Sequence, residues 1–147
     1  MFDEGLYWHG NEPCHQVAYL YNKAGAPWKT QQRIHHILNT EYNDTPGGLS
    51  GNDDAGQMSA WYMFSAIGFY PVCPATPYYY IGTPSFDKVI FNLENGRKFE
   101  IVAEGVDDEN FYIQQVDLNG KSGYYLSHDD LLKGGKLSFR MGNSPKY

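Results

Sequence analysis

Two short stretches of this chain carry residues fit for chemistry. Asn52, Asp53 and Asp54 follow a glycine-rich loop that ends at Gly51, just ahead of a helix signal. Carboxylates there can move protons, and glycine lets the backbone approach a ligand closely. Trp61, Tyr62 and Phe64 follow on the helix, which is expected to stop at Gly68. A carboxylate pair beside aromatic walls suits the cleavage of a sugar. The second stretch is Trp8-His9-Gly10-Asn11-Glu12-Pro13-Cys14-His15, rich in oxygen donors and rings.

Each residue also has an ordinary structural reading. Asp54-Ala55-Gly56-Gln57 fits a capping box, with Asp54 accepting a first-turn N–H and Gln57 reaching back. Asn11 and Glu12 before Pro13 read as a plain helix start. Asp53 reads as a solvated loop carboxylate. Trp8 fits a stacking wall for a leaving sugar and a core position equally well. His15 lies one turn after Asn11 and so shares its side, whereas His35 and His36 read as packing or surface residues. Trp61, Tyr62 and Phe64 have the spacing of a helix core.

The elements that must position these residues fall into two halves. Helices are expected from Pro13 to about Lys23, from Pro27 with Ile34, Ile37, Leu38 and Tyr42 on one face, and from about Ala55 to Ile67. From Tyr78 the runs are short, aromatic and β-branched. Tyr78–Ile81, Lys88–Leu93, Lys98–Ala103, Phe111–Leu118 and Lys136–Met141 read as strands. Asn95-Gly96 and Asn119-Gly120 are hairpin signals, and Ser127 to Leu132 fits one helical turn. The change falls near the prolines between Val72 and Thr76, giving a helical segment 1–72 and a β domain 73–147.

The net charge of −6 argues against a nucleic-acid partner, which needs a basic patch. With 41% hydrophobic and 19% charged residues the chain reads as globular. No run of about 18 apolar residues marks a membrane span. Met1-Phe2-Asp3-Glu4 lacks the features of a signal peptide. Cys14 and Cys73 read as two buried thiols rather than a pair.

The stretch GNDDAGQMSAWYMFSAIGFYPV resembles the signature of the calcium-dependent, inverting exo-α-mannosidases of glycoside hydrolase family 92. WHGNEPCHQVAYL resembles a second motif of that family. YYYIGTPSFDKVIFNL, Asn119-Gly120-Lys121 and GGKLSFRMGNSP resemble it more diffusely. Family members are several times longer, so the chain looks like the C-terminal piece of one. The resemblance implies an α+β fold: the last helices of an (α/α) barrel followed by a small antiparallel β-sandwich.

It also implies roles. Asp54 becomes the general base that activates water, compatible with capping because a helix N-terminus favours the ionised form. Asn52, Asp53 and Gln57 support it, with Asn52 standing where many members carry an acid. Asn11 and Glu12 become ligands of Ca2+, which takes oxygen donors. Trp8 and His15 become substrate contacts. The family's general acid is a Glu well upstream of the Asn-Glu-Pro motif, and Glu4 lacks its context, so the chain alone is expected to be inactive. The substrate implied is terminal α-linked mannose on glycans, α-1,2 first. Tyr7-Trp8 replaces the His-Glu pair of α-1,2 cleavers, which leaves α-1,3 and α-1,4 open. The implied partner is the rest of the parent catalytic barrel, and the implied location is periplasmic or extracellular. The rival reading is a non-catalytic carbohydrate-binding β-sandwich, using a row of Tyr78, Tyr79, Tyr80, Tyr124 and Tyr125.

Overall fold

The computed structural model describes residues 5–120 and 123–147. Glu4 and Lys121, named above, lie outside them.

The first expected helix is not continuous. Two 3-10 turns, Glu12–Cys14 and Val17–Tyr19, lead into a single α turn, α1 (Leu20–Lys23). The break has an identifiable cause. An α-helix would direct the Tyr19 N–H to the His15 carbonyl. Here Tyr19 N bonds Gln16 O instead, and the His15 carbonyl accepts the Trp61 indole N–H at 3.0 Å. A long-range contact has taken the acceptor that the local helix needed.

Helix α2 (Pro27–Thr40) starts with Pro at its head and buries Thr30, Gln31, Ile34, Ile37 and Leu38, the i, i+3, i+4, i+7 stripe of one face. Tyr42 lies just past its end and is half-buried. Helix α3 (Gln57–Ile67) begins two residues later than expected. It stops at Gly68, whose φ of 108° suits the left-handed C-terminal position.

The strands are β1 (Phe69–Tyr70), β2 (Tyr78–Ile81), β3 (Lys88–Asn92), β4 (Lys98–Glu104), β5 (Tyr112–Leu118), β6 (Tyr125–Ser127) and β7 (Gly135–Gly142). A last short helix, α4 (His128–Lys133), precedes β7. Ser127 caps it, accepting from the Asp130 N–H. One sheet has the order β1-β2-β6 and the other β3-β4-β7-β5. The second sheet is mixed, because β4 and β7 run parallel, from Phe99↔Gly135 to Glu104↔Arg140. The all-antiparallel expectation is therefore corrected. Period-two alternation marks a strand's buried face and carries no sign of its direction.

Asn95-Gly96 turns the β3–β4 hairpin as expected, with Gly96 at φ 78°. Asn119-Gly120 makes a turn but no hairpin, since β5 pairs with β7 and β6 joins the other sheet. The Asn119 amide oxygen instead accepts the Lys136 N–H, fastening the start of β7.

Phe69, Ile81 and Leu126 of the three-stranded sheet share one buried cluster with Phe99, Ile101, Ile113, Leu137 and Phe139 of the four-stranded sheet. A second cluster joins Tyr19, Ile34, Ile37, Trp61, Tyr70 and Tyr80. Phe69 precedes the prolines and Tyr80 follows them, so the core does not divide where the element type changes. The architecture is α+β, and the described helices close no barrel. Cys14 is half-buried and Cys73 exposed, and both are free, which corrects the expectation of two buried thiols. Among the described residues no helix is long and apolar enough to cross a membrane.

Candidate active site

The two stretches singled out by their chemistry meet at two glycines. A Cβ added to Gly51 would lie 2.6 Å from the Gly10 carbonyl oxygen and 2.7 Å from its Cα. One added to Gly10 would lie 2.7 Å from the Ser50 carbonyl oxygen. Real Cβ atoms do not approach so closely, so only glycine allows this backbone contact. Asn11 and Glu12 leave the junction on one strand of chain, and Asn52, Asp53 and Asp54 on the other.

Buried polar rings hold the first loop in place. His9 is fully buried. Its Nε2 lies 2.6 Å from the Tyr42 hydroxyl, which donates to the Met58 carbonyl at 3.1 Å. With that proton committed, His9 Nε2–H donates to Tyr42, and the Tyr7 hydroxyl donates to His9 Nδ1 at 2.8 Å. Burial, helped by His15, pushes the His9 pKa down to about 3, so the ring is neutral. Burial likewise raises Tyr7 and Tyr42 above the ordinary tyrosine range.

A parallel chain runs through His15, which is 1% exposed. Its Nε2–H donates to the His9 carbonyl at 3.0 Å, and its Nδ1 accepts from Gln57 Nε2 at 3.2 Å. Gln57 Nε2 also donates to the Tyr70 hydroxyl at 3.1 Å. Burial lowers the His15 pKa against the pull of the His9 carbonyl and the Glu12 carboxylate. Burial raises Tyr70, whose Gln57 bond opposes the rise and whose neighbour Glu12 adds to it. The Glu12 charge therefore acts on both His15 and Tyr70.

The second loop is strained. Asp54, Ala55 and Gly56 have φ of 45°, 60° and 94°, three left-handed residues in succession. That conformation costs about 1–2 kcal/mol per non-glycine residue, less for Asp than for Ala. Asp54 does not cap α3, and Gln57 does not reach back to it, so the capping box is not formed. Asp53 takes the role: its Oδ1 accepts the Ser59 N–H at 2.9 Å, and its Oδ2 accepts the Ser59 hydroxyl at 3.1 Å. Asp53 is thus a half-buried cap rather than a solvated loop carboxylate. Asp54 is exposed, and no hydrogen bond or ion pair engages its carboxylate among the described residues.

The profile of the glycosyl hydrolase family 92 catalytic domain matches residues 1–143. This chain belongs to that family. It is similar to a family 92 α-mannosidase of Bacteroides thetaiotaomicron solved in complex with mannoimidazole. The two are 49% identical with a TM-score of 0.92, over 97% of this chain and 19% of that one. An inverting family 92 mannosidase of Bacteroides thetaiotaomicron VPI-5482 is 43% identical, with a TM-score of 0.90, over 97% of this chain and 20% of that one. An uncharacterized secreted glycosidase of Arthroderma benhamiae is 33% identical over 97% of this chain and 19% of its own length. The chain thus spans about a fifth of the relatives it matches.

Within this family 92 chain the remaining candidates are placed as follows. Trp8 is 57% exposed, with its indole over Gly10, and is not a core residue. Asn52 is exposed beside Asp53. His15 has both ring nitrogens engaged, by the His9 carbonyl and by Gln57. Asn11 is exposed and its Nδ2 donates toward Cys14 Sγ at 3.5 Å, leaving Oδ1 uncommitted. Glu12 is half-buried. Amide and carboxylate oxygens fit calcium in kind, but they are two of the six to eight that it takes. Among the described residues no group of three or more His, Cys, Asp or Glu is assembled for a metal.

Sequence reasoning missed Tyr7, His9, Tyr42, Ser59 and Tyr70. Their hydrogen bonds reach up to 33 residues along the chain, from His9 to Tyr42, a pairing that local spacing does not reveal. The tyrosine row of the rival reading does not form. Tyr78 and Tyr125 are exposed, Tyr80 is buried in the helical cluster, and Tyr79 packs on Phe64 and Phe69 and bonds His128.

Proposed function

We propose that this chain supplies the water-activating side of an exo-acting, inverting α-mannosidase that removes terminal α-linked mannose from glycans. The observation that carries the reading is the Gly10–Gly51 contact, which brings the oxygen-rich loop of Asn11 and Glu12 against the loop that presents Asp54. Asp54 takes the proton from a water attacking the anomeric carbon. An inverting site needs a second carboxyl roughly 6.5–9.5 Å away to protonate the leaving oxygen. We assign that acid to a glutamate outside this chain, so the chain alone releases no mannose. Trp8 stacks on the leaving sugar, and Asn52 holds a water or a sugar hydroxyl.

Asn11 and Glu12 would hold calcium, which when bound would grip neighbouring mannose hydroxyls and favour a distorted ring. The helices belong to an (α/α) barrel whose remainder covers the exposed Met63 face of α3, and the two sheets serve as a β-sandwich scaffold. The α-1,2 linkage is the leading substrate, ahead of α-1,3 and α-1,4. The parent works in the periplasm or outside the cell, in line with the secreted relative.

The test is mannose release from α-1,2-, α-1,3- and α-1,4-linked mannobioses by the full enzyme carrying this chain. Asp54→Asn should lower turnover by about a hundredfold or more, and the first product should be β-mannose. Wild-type turnover in the variant, or α-mannose as first product, would overturn the reading.

A further inference from the structure

Two aspartates compete for the N-terminus of α3. The local sequence favours Asp54 as the cap, through Asp54-Ala55-Gly56-Gln57. The structure gives that place to Asp53, six residues before the Ser59 N–H that it caps. Its Oδ1 accepts the Ser59 N–H and its Oδ2 the Ser59 hydroxyl. Its backbone carbonyl accepts from both Gly56 N and Met58 N, at 3.1 and 3.2 Å. These bonds close the left-handed turn over Asp54, Ala55 and Gly56. Ala55 is the residue least suited to that turn, because its Cβ crowds the following carbonyl. Released from the clamp, residues 54–56 would relax toward the right-handed conformation. α3 would grow backwards, and the Asp54 carboxylate would turn onto the freed N–H groups.

We propose that Ser59 is a positioning residue of the hydrolytic site: its hydroxyl, the one side-chain bond of the clamp, fixes the second carboxylate oxygen of Asp53 and so keeps Asp53 as the helix cap and the Asp54 carboxylate free to act on water. The proposal rests on Asp54 as general base. Ser59 touches no reacting atom. Within this chain it is exposed, at the rim of a concavity lined also by Leu38, Leu49, Tyr62 and Met63.

The experiment is steady-state kinetics of the full enzyme on a mannobiose, with thermal unfolding of each variant. Ser59→Ala should lower kcat by about ten- to a hundredfold, as misplacement of a catalytic group does, with KM within about twofold. Ser59→Thr, which keeps the hydroxyl, should retain kcat. Ala55→Gly placed in the Ser59→Ala background should recover kcat, since glycine accepts the left-handed turn without a clamp. A Ser59→Ala enzyme that loses thermal stability but keeps wild-type kcat overturns the proposal, as does failure of Ala55→Gly to restore any turnover. Asp54→Asn is measured alongside. If it is inactive while Ser59→Ala is fully active, the clamp alone fails. If it is fully active, the general-base reading falls and the clamp with it.

Discussion

The four-stranded sheet repeats one device, whereas the junction at Gly10 and Gly51 makes each of its contacts once. Along β4 the residues Phe99, Ile101 and Ala103 point into the core and alternate with exposed or half-buried neighbours. The ladder to β3 and β7 recurs at every second residue, so a lost bond has a neighbour that does the same work. At the junction, His9 has one Tyr42, His15 one Gln57 and Asp53 one Ser59. Apolar area stabilises the first region, and paired buried polar groups fix the shape of the second. A sheet built this way tolerates local error in geometry. A site built from single hydrogen bonds does not, and that rigidity holds a carboxylate in a strained turn.

The comparison is broken most severely by cutting into the sheet. Phe99→Ala removes a fully buried ring and should cost about 3–5 kcal/mol, read by urea unfolding. Calcium affinity in the variant that still folds should be unchanged. Gly51→Ala acts at the other region. Its Cβ meets the Gly10 carbonyl, which should cost about 1–3 kcal/mol and should also separate the two loops, so calcium and inhibitor binding fall together in calorimetry. If Gly51→Ala binds both normally, the glycine contact is not what assembles the site.

The smallest effect is one of pH. The folded pKa of His9 lies below its unfolded value, near 3 against the ordinary 6.5. Above about pH 6.5 both states are neutral and the full stability is present. Between about 6.5 and 3 the unfolded chain binds a proton that the folded chain refuses. Stability should then fall with pH by up to about 1.4 kcal/mol per unit from this ring. Urea unfolding at pH 7, 6 and 5 reads the slope, and His9→Gln should flatten it. An equal slope in the variant would place the titration elsewhere.

Much of the sheet was legible in the sequence because its determinants are local. The bounds of β2 were read directly, and Asn95-Gly96, Gly68 and Ser127 each did what their backbone preferences dictate. The parallel pairing of β4 with β7 was not legible, since direction is a property of the connection and not of the strand. β1 and β6 are two and three residues long, too short for any period to show. The site was legible as two motifs and two candidate loops, but the glycine contact that joins them is not written in either. Asp54 was expected at a cap that Asp53 occupies, because a local capping box competes with a bond to Ser59 that spacing rules do not weigh. The helix expected from Pro13 failed for the same reason, with the Trp61 indole taking the His15 carbonyl.

The central claim is that the Gly10–Gly51 junction holds metal and sugar together. Calorimetric titration of calcium into the full enzyme, with and without a mannose-configured inhibitor, tests it most directly when repeated on Glu12→Gln. The account predicts calcium binding that tightens when the inhibitor is present and weakens by at least about tenfold in the variant, since ligand charge tunes such sites. Calcium binding that is indifferent both to the inhibitor and to Glu12→Gln would contradict it.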